Sequence, residues 1–177
     1  MKKTIIRSSV FILSISLLLA FFCSSCHIYS FKDVSIPDSI KTVRINFIEN
    51  RAPYVNPQLS PTLTDRLKQK IINQTRLSNT NSDNANYDIH AYISDYSVST
   101  SGITSTNGRS QSSINRLTVS VHVERTDQLS GDVKKFDVSR SFDFGANQSL
   151  QTAEAGLLDE MVRNLTDEIF NQLFSNW

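Results

Sequence analysis

Apolar residues recur along this chain with two periods, one of two residues and one of about 3.6, and the switches between them mark out its elements. Across residues 41–48, Val43, Ile45 and Phe47 fall on one side and Arg44 and Asn46 on the other, which predicts a half-buried strand. Residues 49–57 hold two prolines and two asparagines and read as a loop. Ser60 and Pro61 then supply an N-cap followed by proline at the first helical position. Leu63, Leu67 and Ile71 recur at helical spacing, so a helix is expected over about 61–76. Residues 78–86 read as a polar linker.

Three further alternating runs follow. Tyr87, Ile89, Ala91 and Ile93 share one face of a strand that extends as far as Val98. Residues 99–114 are rich in Ser, Thr and Gly and read as a connection, long enough for a hairpin loop to imply mobility or function. Leu117, Val119, Val121 and Val123 form the cleanest strand of the chain. A turn at 127–132, with Ser130 and Gly131, leads into a last strand marked by Phe136, Val138, Phe142 and Phe144. Arg140 shares the parity of these apolar residues, so either a bulge shifts the register or its head group reaches the sheet edge. Residues 150–174 carry Leu157, Met161, Leu165 and Ile169 on one stripe, with Leu158, Val162 and Leu173 beside it: a long amphipathic helix. The acidic residues Glu154, Asp159, Glu160, Asp167 and Glu168 read as its solvated side.

The expected fold is therefore α+β, a four-stranded, mostly antiparallel sheet with two helices packed on one face, in the order β-α-β-β-β-α. The opposite parity places Arg44 and Asn46; His90, Tyr92 and Ser94; Arg116, Thr118, Ser120 and His122; and Lys135, Asp137, Ser139 and Ser141 on the uncovered face. Simple solvation accounts for such a face. The sharper alternative is enclosure by a polar-walled partner such as the lumen of an outer-membrane barrel.

The beginning of the chain is patterned differently. Lys2, Lys3 and Arg7 precede an apolar run over residues 10–22, then Cys23-Ser24-Ser25-Cys26. The run is shorter than the roughly 20 residues of a comfortable membrane span. A basic region, a short hydrophobic region and small residues before a cysteine describe a lipoprotein signal, with acyl chains on Cys26 after removal of residues 1–25. The small Ser24 and Ser25 before Cys26, against the bulky Phe21 and Phe22 before Cys23, select Cys26 over Cys23; the alternative is an ordinary cleaved signal. Residues 26–40 then form the anchor and linker, and 41–177 a single domain.

Loss of the signal removes three of 18 basic residues against 17 acidic ones, leaving a mature net charge of −2. That excludes the positive field nucleic-acid binding needs. With no second cysteine in the mature chain, disulfide, redox and thiolate-metal sites are excluded as well. In bacteria that export lipoproteins to the cell surface an acidic stretch just after the cysteine usually marks the exported ones; none follows Cys26, so by similarity to such lipoproteins the chain is expected to face the periplasm. Phosphate loops, nucleophile elbows and His-Glu-x-x-His zinc sites are missing, and no cofactor is implied. His90 and His122 share a parity on separate strands and read as exposed strand residues, with a weak metal site as the alternative. An enzyme is not expected.

Four stretches resemble a known family: Cys26-His27-Ile28-Tyr29-Ser30-Phe31; Asn50-Arg51-Ala52-Pro53-Tyr54-Val55-Asn56-Pro57 leading into Leu63-Thr64-Asp65; Asn115-Arg116-Leu117-Thr118-Val119; and Phe170-Asn171-Gln172-Leu173-Phe174-Ser175-Asn176-Trp177. They are similar to the Bacteroidetes branch of the LptE lipoproteins, and the similarity spans essentially the whole mature chain. The resemblance implies a lipopolysaccharide-assembly component, lipid-anchored in the inner leaflet of the outer membrane and facing the periplasm. It implies a plug inside the β-barrel LptD that helps that barrel assemble and insert lipopolysaccharide. It also implies two helices against a four-stranded sheet.

Lipopolysaccharide carries phosphates and acidic sugars, so cations on the exposed sheet or its loops are its candidate contacts. Arg109, Arg116, Lys134 and Lys135 fit that description; ordinary solvated charge is the alternative. Asp38-Ser39-Ile40 matches the short periplasmic O-glycosylation pattern of Bacteroidetes. A different class of function, a lipoprotein adaptor that activates a cell-wall synthesis enzyme, fits the same anchor and the same lack of catalytic motifs.

Overall fold

The computed structural model describes residues 36–106 and 109–174, and for 101–106 and 109–113 the backbone alone. Strands β1 (Thr42–Ile45) and β2 (Glu49–Asn50) precede helix α1 (Leu59–Gln74). Strand β3 (Ser78–Asn79), the long strands β4 (Tyr87–Thr106), β5 (Arg109–Asp127) and β6 (Val133–Gly145), and helix α2 (Leu150–Phe174) follow. They form one sheet in the order β3-β1-β4-β5-β6, with β2 pairing β4 beyond the end of β1.

The α+β class and the two helices match expectation, whereas the sheet does not. It has six strands rather than four, and it is mixed: β1 runs parallel to both β3 and β4, and β2 parallel to β4, while β4, β5 and β6 are antiparallel. The extra strands lie in segments read as loop and linker. Two residues are too few for alternation to register, and Glu49–Asn50 and Ser78–Asn79 carry polar side chains only. Tertiary pairing alone makes them strands: the Arg51 N–H donates to Ile93 O at 2.9 Å and the Thr80 N–H to Val43 O at 2.9 Å.

Residues 99–106 and 109–114 are likewise strand, not loop. The β4–β5 ladder continues from Thr100↔Asn115 to Thr106↔Arg109, so the segment is the far end of a long hairpin. Its Ser/Thr richness is compatible with strand as well as turn, and the expectation gave weight to the turn.

Helix α1 begins two residues earlier than expected. Gln58 rather than Ser60 is its N-cap, and Pro61 is its third residue. Proline is tolerated there because the first four helical N–H groups lack intrahelical partners in any case. The Asn56 side chain accepts the Gln58 N–H at 3.0 Å and turns the chain into the helix.

Helix α1 joins two parallel strands as a crossover, and α2 returns along β6, which runs in the direction of β1. The two helices therefore lie parallel to each other on one face of the sheet. Leu63, Leu67 and Ile71 from α1 and Met161, Leu165 and Ile169 from α2 are fully buried with Val119, Val121 and Val123. Each such side chain contributes about 2 kcal/mol relative to exposure.

Two features adjust the pattern. Between Ile93/Asp95 on β4 and Val121/Ser120 on β5 the register shifts, which marks Ser94 as a β-bulge. The bulge turns Tyr96 inward, although alternation from Ile93 would turn Asp95 inward. Strand β6, by contrast, keeps its register against β5 through Val119↔Arg140. Arg140 thus shares the helix-covered face, and its guanidinium reaches past the sheet edge to Glu168 on α2. At the β5–β6 turn Gly131 adopts φ +79°, a conformation that glycine takes without steric cost. Among the described residues no helix is long and apolar enough to cross a membrane.

Candidate functional site

The uncovered face of the sheet is built from cross-strand pairs. Along β5 and β6 its five rows are Arg116–Asp143 (2.7 Å), Thr118–Ser141 (3.0 Å), Ser120–Ser139 (3.0 Å), His122–Asp137 (2.8 Å) and Lys135–Glu124 (2.7 Å). Every row is joined by a hydrogen bond or ion pair, so the ladder presents its polar groups already satisfied. Directly opposed residues on one face of an antiparallel pair come close enough to bond in this way. The Arg116 guanidinium holds the Asp143 carboxyl below its usual range, and the carboxylate in turn pushes the guanidinium up.

Nearer β1 the pairing becomes a network. Asp88 is 5% exposed and accepts hydrogen bonds from Arg44 Nε (2.9 Å) and Asn46 Nδ2 (2.8 Å). His90 Nε2 lies 3.2 Å from the same carboxylate. Hydrogen bonding from Arg44 is the chief cause that lowers the Asp88 pKa. Arg44 also bonds Asp83 from the loop after β3. In the middle of the sheet His122 packs on the Tyr92 ring at 5.1 Å, and the Arg51 guanidinium lies 4.3 Å from that ring's centre.

His90 and His122 fall one row apart, since Tyr92 faces His122 and His90 faces Glu124. Each engages its own aspartate, Asp88 or Asp137. Among the described residues no three His, Cys, Asp or Glu side chains gather as metal ligands would.

The lipopolysaccharide-contact candidates divide. Arg116 and Lys135 do stand on the uncovered face, each bonded to a neighbouring acid. Lys134 has the opposite parity. It bonds the Gln172 carbonyl near the C-terminus of α2, where burial and Arg125 lower its pKa. It is not part of the uncovered surface. The backbone of Arg109 opens β5 opposite Thr106, at the hairpin end; its side chain lies outside the described residues, as does Cys26. Ser39 is exposed, and its neighbour Asp38 pairs with Arg76 at 2.8 Å.

One polar cluster was not anticipated. Glu154 was expected on the solvated side of α2 but is 7% exposed. It accepts hydrogen bonds from Tyr96 (2.6 Å) and Tyr54 (3.2 Å), whose rings stack at 5.4 Å. Burial, then the carboxylate, raises both tyrosine pKa values. The only sequence signal is indirect: an acid three residues before Leu157 on the apolar stripe, with tyrosines elsewhere to receive it.

These features define a two-layer α+β domain whose helix-free face is a surface of mutually paired polar side chains. The chain matches the LptE family (Lipopolysaccharide-assembly) over residues 40–173, and it belongs to that family of lipopolysaccharide-assembly lipoproteins, which are not enzymes. Among solved structures, the chain is similar to a neuraminyllactose-binding hemagglutinin homologue from Helicobacter pylori at 10% identity, with 78% of this chain and 85% of that one covered and a TM-score of 0.55. That likeness shows a shared fold. It is also similar to a hypothetical protein from Chlamydia trachomatis (10% identity, 75% and 97% covered, TM-score 0.47). Rare lipoprotein B from Shewanella oneidensis gives 11% identity, 75% and 91% coverage and a TM-score of 0.41. No curated protein sequence matches the chain at a significant level.

Proposed function

We propose that this LptE-family chain is an outer-membrane lipoprotein, anchored through acyl chains on Cys26 and facing the periplasm. Its domain seats inside an LptD-type β-barrel, helps that barrel assemble and takes part in delivering lipopolysaccharide to the outer membrane. The observation that supports a plug is the β5–β6 ladder, in which all five outward rows are bonded across the strands. A surface of this kind can rest against the polar wall of a barrel lumen without burying an unpaired charge. A cationic or apolar face would not meet such a wall on equal terms.

Lipopolysaccharide brings phosphates, and Arg116 and Lys135, the cations of the β5–β6 ladder, offer charge-assisted hydrogen bonds to them. Both are exchanging partners in this reading, since each must release its acid to take a phosphate.

Purification of the full chain from detergent-solubilised outer membrane tests the plug: a stable large barrel should accompany it. Recovery with a cell-wall synthesis enzyme instead would replace the plug with an adaptor. Replacing Arg116 and Lys135 together by glutamate should weaken lipopolysaccharide binding, and unchanged affinity removes them as contacts. Mass spectrometry of the amino terminus checks the anchor, and an unmodified Cys26 refutes it.

A further inference from the structure

Cations without an acidic partner also stand on the other side of the molecule, between the helices. Helices α1 and α2 leave a groove of about 290 Å³ there, lined among others by Arg66, Lys70, Asn73, Arg163, Thr166 and Asp167. Lys70 and Asp167 join its walls at 2.9 Å. Because the helices are parallel, Arg66 and Arg163, each four residues before a member of that pair, stand at the same level on opposite walls. Among the described residues neither arginine has an ion-pair partner. The lining therefore holds three cations against one carboxylate. Asp159, one turn before Arg163, is exposed and does not line the groove.

Thr166 supplies a second, independent observation. It is 1% exposed, and its hydroxyl has no hydrogen-bond partner. A threonine inside a helix ordinarily returns its hydroxyl to the carbonyl four residues back, as Thr64 does to Ser60 at 2.7 Å. An orphaned buried hydroxyl costs about 1–3 kcal/mol unless something meets it. A water occupies about 30 Å³ of liquid, so the groove has room for a tetrahedral oxyanion together with bound water.

We propose that the groove between α1 and α2 binds a phosphate-bearing anion, gripped by Arg66 and Arg163 from opposite walls and by the Thr166 hydroxyl between them. Arginine suits this task because its planar fork matches phosphate oxygens two at a time. Lys70 stays with Asp167 and closes one end. The site is separate from the uncovered sheet face and does not depend on a barrel partner. Its ligand is a phosphomonoester, either free phosphate or a phosphorylated headgroup.

Calorimetry on the full chain in detergent, titrated with inorganic phosphate and separately with glycerol 3-phosphate, tests the site. Saturable binding is expected. The Arg66→Gln/Arg163→Gln double variant should weaken it by about tenfold or more, since two charge-assisted hydrogen bonds are lost. Thr166→Val, which keeps the shape and removes the hydroxyl, should weaken it too, while Lys68→Gln, on α1 but outside the groove lining, should leave it unchanged. Tighter binding of glycerol 3-phosphate assigns the site to a headgroup, and equal or tighter binding of inorganic phosphate to the free ion. Absence of saturable heat with both probes, or wild-type affinity in the double variant, overturns the proposal.

Discussion

The Tyr96 hydroxyl donates a 2.6 Å hydrogen bond to the buried carboxylate of Glu154, tying the bulged strand β4 to the N-terminal part of α2. Burial raises the Tyr96 pKa, so the phenol stays a donor throughout the physiological range. Tyr96→Phe leaves Glu154 with the longer bond from Tyr54 alone. The expected cost is about 2–3 kcal/mol, the range for a charged group deprived of a buried partner. Tyr54→Phe should cost less, because that bond is longer and Tyr54 is partly exposed. Urea denaturation of the two variants measures both, and equal losses would contradict the ranking.

The Asp88 network predicts a dependence on pH. Its folded-state pKa lies below the ordinary 3.8 because Arg44 bonds the ionised form. A depressed pKa contributes stability that is complete above the unfolded value and is lost as pH falls through the folded one. At neutral pH Asp88→Asn should destabilise the domain by about 2 kcal/mol. The gap between wild type and variant should begin to narrow near the ordinary carboxylate value, where the unfolded chain takes up the proton, and go on narrowing as pH falls through the lower folded-state pKa. A gap that stays constant down to the acid limit would show that Asp88 does not titrate with folding.

The positions where sequence and structure part have physical reasons in common. Leu117, Val119, Val121 and Val123 were legible because one strand buries one side and alternation records it. Ser94 was not: a bulge changes which parity is inward without altering residue types nearby. Strands β2 and β3 exist through their neighbours and leave no local mark. Glu154 looked solvated because its tyrosine partners lie 58 and 100 residues away. The polarity of the uncovered face was equally legible, since it needs only parity. Which cations on it are already paired was not, since that depends on the cross-strand register matching Arg116 to Asp143 and Lys135 to Glu124.

Ser94 offers a sharp test of that register. Its side chain is exposed, so Ser94→Ala should change stability by no more than about 0.5 kcal/mol. Deleting Ser94 is a different matter. With one residue fewer the strand would run without a bulge, Ile93 opposite Val121, Asp95 opposite Ser120 and Tyr96 opposite Val119, so Asp95 would stay outward and Tyr96 inward. The deletion variant should therefore fold and keep the Tyr96–Glu154 bond, losing only the extra local twist that the bulge supplies. Circular dichroism and urea unfolding of the two variants side by side check this, and a deletion variant that does not fold would show that the bulge itself is required.

The Arg116–Asp143 pair lets the ladder's pairing be told apart from its charges. Both side chains are about half exposed, at 46% and 45%, so the pair itself contributes little to stability. Arg116→Asp sets two carboxylates opposite each other and should lower stability only slightly. Adding Asp143→Arg reverses the pair and should recover most of that loss. If the face works by resting its satisfied pairs against a polar wall, the reversed pair should also restore co-purification with the barrel that Arg116→Asp weakens. If Arg116 itself grips a phosphate, the reversed pair should recover stability and barrel recovery but not lipopolysaccharide affinity, because the cation now stands on β6 instead of β5. Binding and unfolding measured on the single and double variants distinguish the two roles.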